Sequence, residues 1–154
     1  MTVNTKKVQN RRAVGYASLH ELLSDAEKLA ATEIRTLGNW SFGQILKHLA
    51  MSIDSSIDGT GFMLPAPARW LMSLLMKNKF LSKPIPAGFK SVAQFIPDEI
   101  TVDEGLASLR AAINRQQRET SRALHPAFGK LSNAEWDAFN LRHAEMHMSF
   151  VVPN

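Results

Sequence analysis

Two histidines, His143 and His147, stand four residues apart in the stretch "EWDAFNLRHAEMHMSF" near the end of the chain. Four residues make slightly more than one helical turn, so the two rings stack about 6 Å apart along the axis and can bind one metal ion together. At 100° per residue, Trp136, Asn140, His143, His147 and Phe150 share a narrow arc, flanked by Phe139 and Met146. The histidines therefore lie on the face expected to be buried. Glu145 falls on the opposite face and is expected to be exposed, so Trp136→Ala should damage folding far more than Glu145→Ala. The spacing is not that of a zincin, because no Glu directly follows the first histidine. A plainer account also fits: two buried imidazoles bonded to carbonyls or water.

A third nitrogen is available in "SFGQILKHLAMSIDSSIDG". Phe42, Ile45, Leu46, Leu49, Ile53 and Ile57 form an apolar stripe, with His48 on its edge between Gln44 and Ser52, one turn away on either side. A ring placed there can face a cleft between helices. His48, His143 and His147 would then be three protein ligands from two helices, leaving positions for water or substrate, which is the pattern of a catalytic metal. Asn140, Gln44 and Ser52 are the candidates for supporting these rings. His20, in the first turn of a helix, is expected to be exposed. His125, before Pro126, is expected to pack within a loop.

Composition limits the chemistry. The 154 residues suit one domain with a real core, and 45% hydrophobic against 21% charged residues argues against general disorder. With no cysteine, a metal must rest on nitrogen and oxygen ligands, and a reducing cytoplasm is a compatible location. The formal charge of +4 arises from 18 Lys and Arg against 14 acids, and two clusters stand out, "KKVQNRR" and "KNKFLSK". Residues 1–16 form a basic arm ahead of a single domain over 17–154. Without interleaved aromatics or a reading motif, such an arm is expected to be a solvated tail, not a specific nucleic-acid binder. No apolar signal-peptide core follows it, and "WLMSLLM" is too short to span a bilayer.

The elements that must position the histidines are marked by capping boxes. Ser18 with Glu21, Ser41 with Gln44, Thr101 with Glu104 and Ser132 with Glu135 predict helices over about 19–31, 42–57, 102–123 and 133–150. Gly59 suits the end of the second. A further helix is expected over about 67–81, opened by Pro67. The segment with Pro84, Pro86, Gly88 and Pro97 reads as an extended surface connection. No convincing strand is seen. The expected fold is all-α: a four-helix bundle with an additional helix or long crossover.

The stretches "LGNWSFGQILKHLA", "SIDG", "HPAFGKLSNAEW" and "LRHAEMHMSF" resemble a bacterial family of unknown function placed in the DinB/YfiT-like clan. The resemblance runs from the first helix to the C-terminus. It implies a four-helix bundle holding a metal through three histidines, here His48, His143 and His147. Some members of that clan are metal-dependent enzymes acting with low-molecular-weight thiols, so the resemblance points to a thiol transferase or hydrolase using nickel or zinc. No thiol-binding residue can be matched. A non-catalytic module taking an apolar ligand or protein partner is the alternative, with "WLMSLLMKNKF" as a groove or homodimer face.

Overall fold

The computed structural model describes residues 2–154 and is mostly helical. Five α-helices follow one another: α1 (Leu19–Ala30), α2 (Phe42–Asp58), α3 (Ala66–Ser82), α4 (Val102–Arg118) and α5 (Asn133–Met148). Helices α1, α2, α4 and α5 form a bundle around Leu22, Leu46, Leu49, Leu109, Ile113 and Met148. Helix α3 lies outside it, where Met72, Met76 and Phe80 pack on a smaller cluster of Phe128, Leu131 and Trp136. The all-α bundle with an additional helix is thus the observed architecture.

Three of the four capping boxes close in both directions, at Ser41/Gln44, Thr101/Glu104 and Ser132/Glu135. At the start of α1 only half forms. Ser18 accepts the Glu21 N–H, while the Glu21 carboxylate takes the N–H of Ala17 instead. Two helices end earlier than their periodicity predicts. Helix α4 stops at Arg118, and the chain then runs extended to Ala123, whose N–H bonds the Ser56 carbonyl. Helix α5 stops at Met148, two residues short, because the chain turns into a strand.

That strand corrects the expectation of none. β1 (Ile34–Thr36) and β2 (Val151–Pro153) pair antiparallel, with Arg35 opposite Val152. The pairing buries Val151 and Val152 and closes the end of the bundle. It also moves Phe150 off the helical arc assigned to it, so that its carbonyl accepts the Leu37 N–H.

The basic segment ahead of α1 is tied down as well, against the expectation of a solvated tail. Arg12 makes a bidentate pair with Asp25 at 2.8 and 2.6 Å, and its Nε–H donates to the Val151 carbonyl at 3.1 Å. Arg11 lies over the Phe150 ring, 4.5 Å from its centre. The segment ends at Tyr16, which is buried and whose hydroxyl bonds Asp25.

Helix α4 meets α2 in close contact at a pair of glycines, Gly105 and Gly43. A Cβ at Gly105 would stand 2.8 Å from the Gly43 carbonyl oxygen and 2.9 Å from the Leu46 Cβ. Neither helix can carry a larger residue there without moving the other, so this contact fixes the position of α2 and of His48 upon it.

Candidate metal centre

Helix α2 carries His48 one turn after its capping box, and the same Gln44 that closes the box also reaches outward. Its Nε2 donates to the Pro97 carbonyl at 3.0 Å, which fastens the proline-rich connection against α2. Two residues earlier in that connection, the Phe95 carbonyl accepts the His48 Nδ1–H at 2.6 Å. A carbonyl only accepts, so this bond sets the His48 tautomer and leaves the Nε2 lone pair free. The connection, expected to be an extended run over the surface, is thereby part of the site.

The free Nε2 of His48 lies 3.3 Å from Nε2 of His143, which is 3.1 Å from Nε2 of His147. The ligand nitrogens of the three residues all fall within 4.8 Å of one another, with His48 buried and the other two partly so. An ion held by imidazole at about 2.0–2.1 Å in tetrahedral geometry separates its ligand nitrogens by about 3.3 Å. The two separations around His143 suit that requirement, and three neutral nitrogens with no cysteine nearby suit a borderline divalent ion. The residues present therefore fit a metal.

Burial keeps the rings in the form a metal needs. It holds the His143 imidazole down to about 3, with the charge of His48 adding to the effect. His147 is pushed well below its ordinary value, first by burial and then by His143 and His48. His48 is also lowered by burial, partly offset by its bond to Phe95. At neutral pH all three are unprotonated and able to donate a lone pair.

The supporting candidates divide. Ser52 Oγ is 3.1 Å from His143 Nδ1, the nitrogen that faces away from the cluster. Gln44 hydrogen-bonds Ser41 and the Pro97 carbonyl, not a histidine, and acts through the connection. Asn140 is buried, and its amide donates to Gln116 Oε1 at 3.3 Å, not to a histidine. Trp40, which sequence reasoning did not single out, stacks on His147 with ring centres 5.4 Å apart and planes 5° apart. It also leans on His48 at 4.8 Å. Its place in the β1–α2 loop gave no periodicity from which to read this.

Residues 8–154 match the model of a family described as "Protein of unknown function (DUF1569)". The chain belongs to that family. No curated protein and no solved structure matches it.

In this DUF1569 protein the three imidazoles open onto a cavity of about 450 Å³, walled by Phe62, Phe80, Phe89, Phe95 and Phe139. A second cavity, also about 450 Å³, reaches His147 and Trp40 from the other side of the connection. Phe89, Lys90 and Ser91 border both, so the connection is the partition between them.

Two further histidines stay outside the cluster. His20 is exposed on α1. His125 is buried beside Phe128, and its Nδ1 accepts the N–H groups of Ala127 and Phe128, both at 3.1 Å. That nitrogen has no lone pair left for an ion. Burial lowers the His125 imidazole to about 4, below its value in the unfolded chain, so the fold binds fewer protons than the unfolded chain between about pH 6.5 and 4. The stability held by neutral His125 is complete above that window and lost as pH falls through it. Lowering the pH from 7 to 5 should cost wild type about 2 kcal/mol more than His125→Asn, whose amide oxygen can accept the same N–H groups without titrating. Urea unfolding of both proteins at the two pH values checks this, and equal losses would show that His125 charges freely in the fold.

Proposed function

We propose that His48, His143 and His147 hold one divalent ion, nickel or zinc, and that the protein is a metal-dependent enzyme of the DinB/YfiT-like kind. The observation that carries this reading is the pair of Nε2 separations around His143, together with a His48 tautomer that directs its lone pair into the cluster. Thiol transfer from a low-molecular-weight thiol, or hydrolysis, is the proposed reaction class. A bound ion would supply Lewis acidity, lowering the pKa of a water or thiol at its open position.

The protein's own contribution is geometric. Phe95 and Ser52 orient two of the rings, and Trp40 packs on the third and on His48. The aromatic walls limit water and favour an apolar substrate body, with its reacting atom placed toward the imidazoles. Those walls also favour a second reading, a non-catalytic module that encloses an apolar ligand.

Metal content separates the two. Protein purified without a histidine tag and stripped with chelator should take up one nickel or zinc ion per chain, and its melting temperature should rise when the ion is added. A melting temperature indifferent to every ion tried would favour the second reading.

A further inference from the structure

We infer that α3 and the segments on either side of it form a docking surface for an anionic membrane, a role independent of the metal reading. Trp70, Leu71, Leu74 and Leu75 are 69%, 49%, 67% and 65% exposed, although α3 packs against α5 through Met72, Met76 and Phe80. On the helical wheel the four exposed residues occupy one arc of about 140° opposite that packed face. Lys77 and Lys79 stand within about 40° of its two borders. This is the disposition of an interfacial helix, in which apolar side chains enter the acyl boundary and a flanking lysine, here Lys79, extends to the headgroups; Lys77 is held by Glu135. Trp70 at the edge of the arc suits the same boundary.

Charge selects the occupant. Between Thr60 and Pro97 the chain has five cations, Arg69, Lys77, Lys79, Lys83 and Lys90, and no acid. The remainder of the chain has 13 cations and 14 acids, so this stretch carries the whole positive surplus. Lys77 is paired with Glu135 at 2.8 Å, and among the described residues the other four form no ion pair. A second copy docking through the same stretch would bring two like-charged segments together. A nucleic acid would leave the tryptophan and leucines without an apolar partner. A bilayer with anionic headgroups satisfies both the apolar arc and its charged border. Attachment is peripheral, because among the described residues no helix is long and apolar enough to cross a membrane.

The test is flotation of the intact protein with vesicles of phosphatidylcholine alone and of an equal mixture with phosphatidylglycerol. Wild type should float with the mixed vesicles, weakly or not at all with phosphatidylcholine, and less as salt rises. Leu74→Ser/Leu75→Ser should lower partitioning by more than about tenfold. Lys79→Gln/Lys83→Gln should lower it about fivefold per cation removed. Both variants alter exposed residues, and their circular dichroism and urea unfolding should match wild type. Tryptophan emission should shift to the blue on mixed vesicles, and Trp70→Phe should abolish the shift. Failure of wild type to float at low salt would overturn the proposal. So would flotation that survives the leucine substitutions, which would mean adsorption by charge alone. A concentration-dependent dimer that those substitutions abolish, without vesicle binding, would assign the face to a second copy instead.

Discussion

Trp136→Ala is expected to destabilise the protein by about 3–5 kcal/mol, and Glu145→Ala by about 1–3 kcal/mol. Trp136 is 1% exposed, packs with His125 and Phe139, and donates its indole N–H to the Ala123 carbonyl at 3.1 Å. Its removal leaves a large cavity and an unpaired carbonyl beneath α3. Glu145, placed by its wheel position on an exposed face, is instead only 5% exposed. Its carboxylate accepts the Tyr16 N–H at 2.8 Å and pairs with Arg142 at 2.6 Å. Alanine there strands the N–H, whereas Glu145→Gln keeps an acceptor and should recover much of the loss. Denaturant titration of the three variants checks the order. A neutral Glu145→Ala would mean that the chain before α1 does not hold its place on α5.

The misplacement of Glu145 shows where sequence reasoning stops. A helical wheel gives phase, and for α5 it was right in part: Trp136 is buried, but His143 and His147 are half-buried along the cavity, and Leu141, Ala144 and Met148 supply the bundle core. It cannot say how many faces other segments cover. In α5 the bundle covers Leu141 and Ala144, while Tyr16 and the segment leading to it cover Glu145. The capping residues made the helix starts legible because each box is a local pair three residues apart. The β1–β2 pairing joins two three-residue strands separated by most of the chain, with no local pattern to announce it. At the site, the three histidines were legible from spacing and stripe position. The Phe95 carbonyl and the Trp40 ring were not, because a backbone acceptor has no side-chain signature and both lie in loops. Gln44 was singled out for the right neighbourhood, but it acts through Pro97 and not on a histidine.

His143→Ala should have the largest effect on metal binding. His143 is the central nitrogen, with the other two Nε2 atoms 3.1 and 3.3 Å from its own. Removing it leaves His48 and His147 without their shared neighbour. Metal affinity should fall by more than the roughly 10–100-fold typical of losing an outer partner. Ser52→Ala, which removes only the hydroxyl beside His143 Nδ1, should fall within that 10–100-fold range. Competition titration against a chelating dye measures both. Equal effects would place Ser52 among the ligands or His143 outside them.

That α2 and α5 together form one metal centre depends on His48, the only one of the three histidines outside α5. Its most direct test is paired. Metal-free wild type and His48→Ala are titrated calorimetrically with nickel and zinc, and each metal-free protein is unfolded in urea. Wild type should bind one ion per chain, and His48→Ala should bind far more weakly, with a metal-free stability lower by about 1–3 kcal/mol because the buried ring and its bond to the Phe95 carbonyl are lost. Undiminished metal affinity in His48→Ala, or a wild-type protein that binds no ion, would contradict the account.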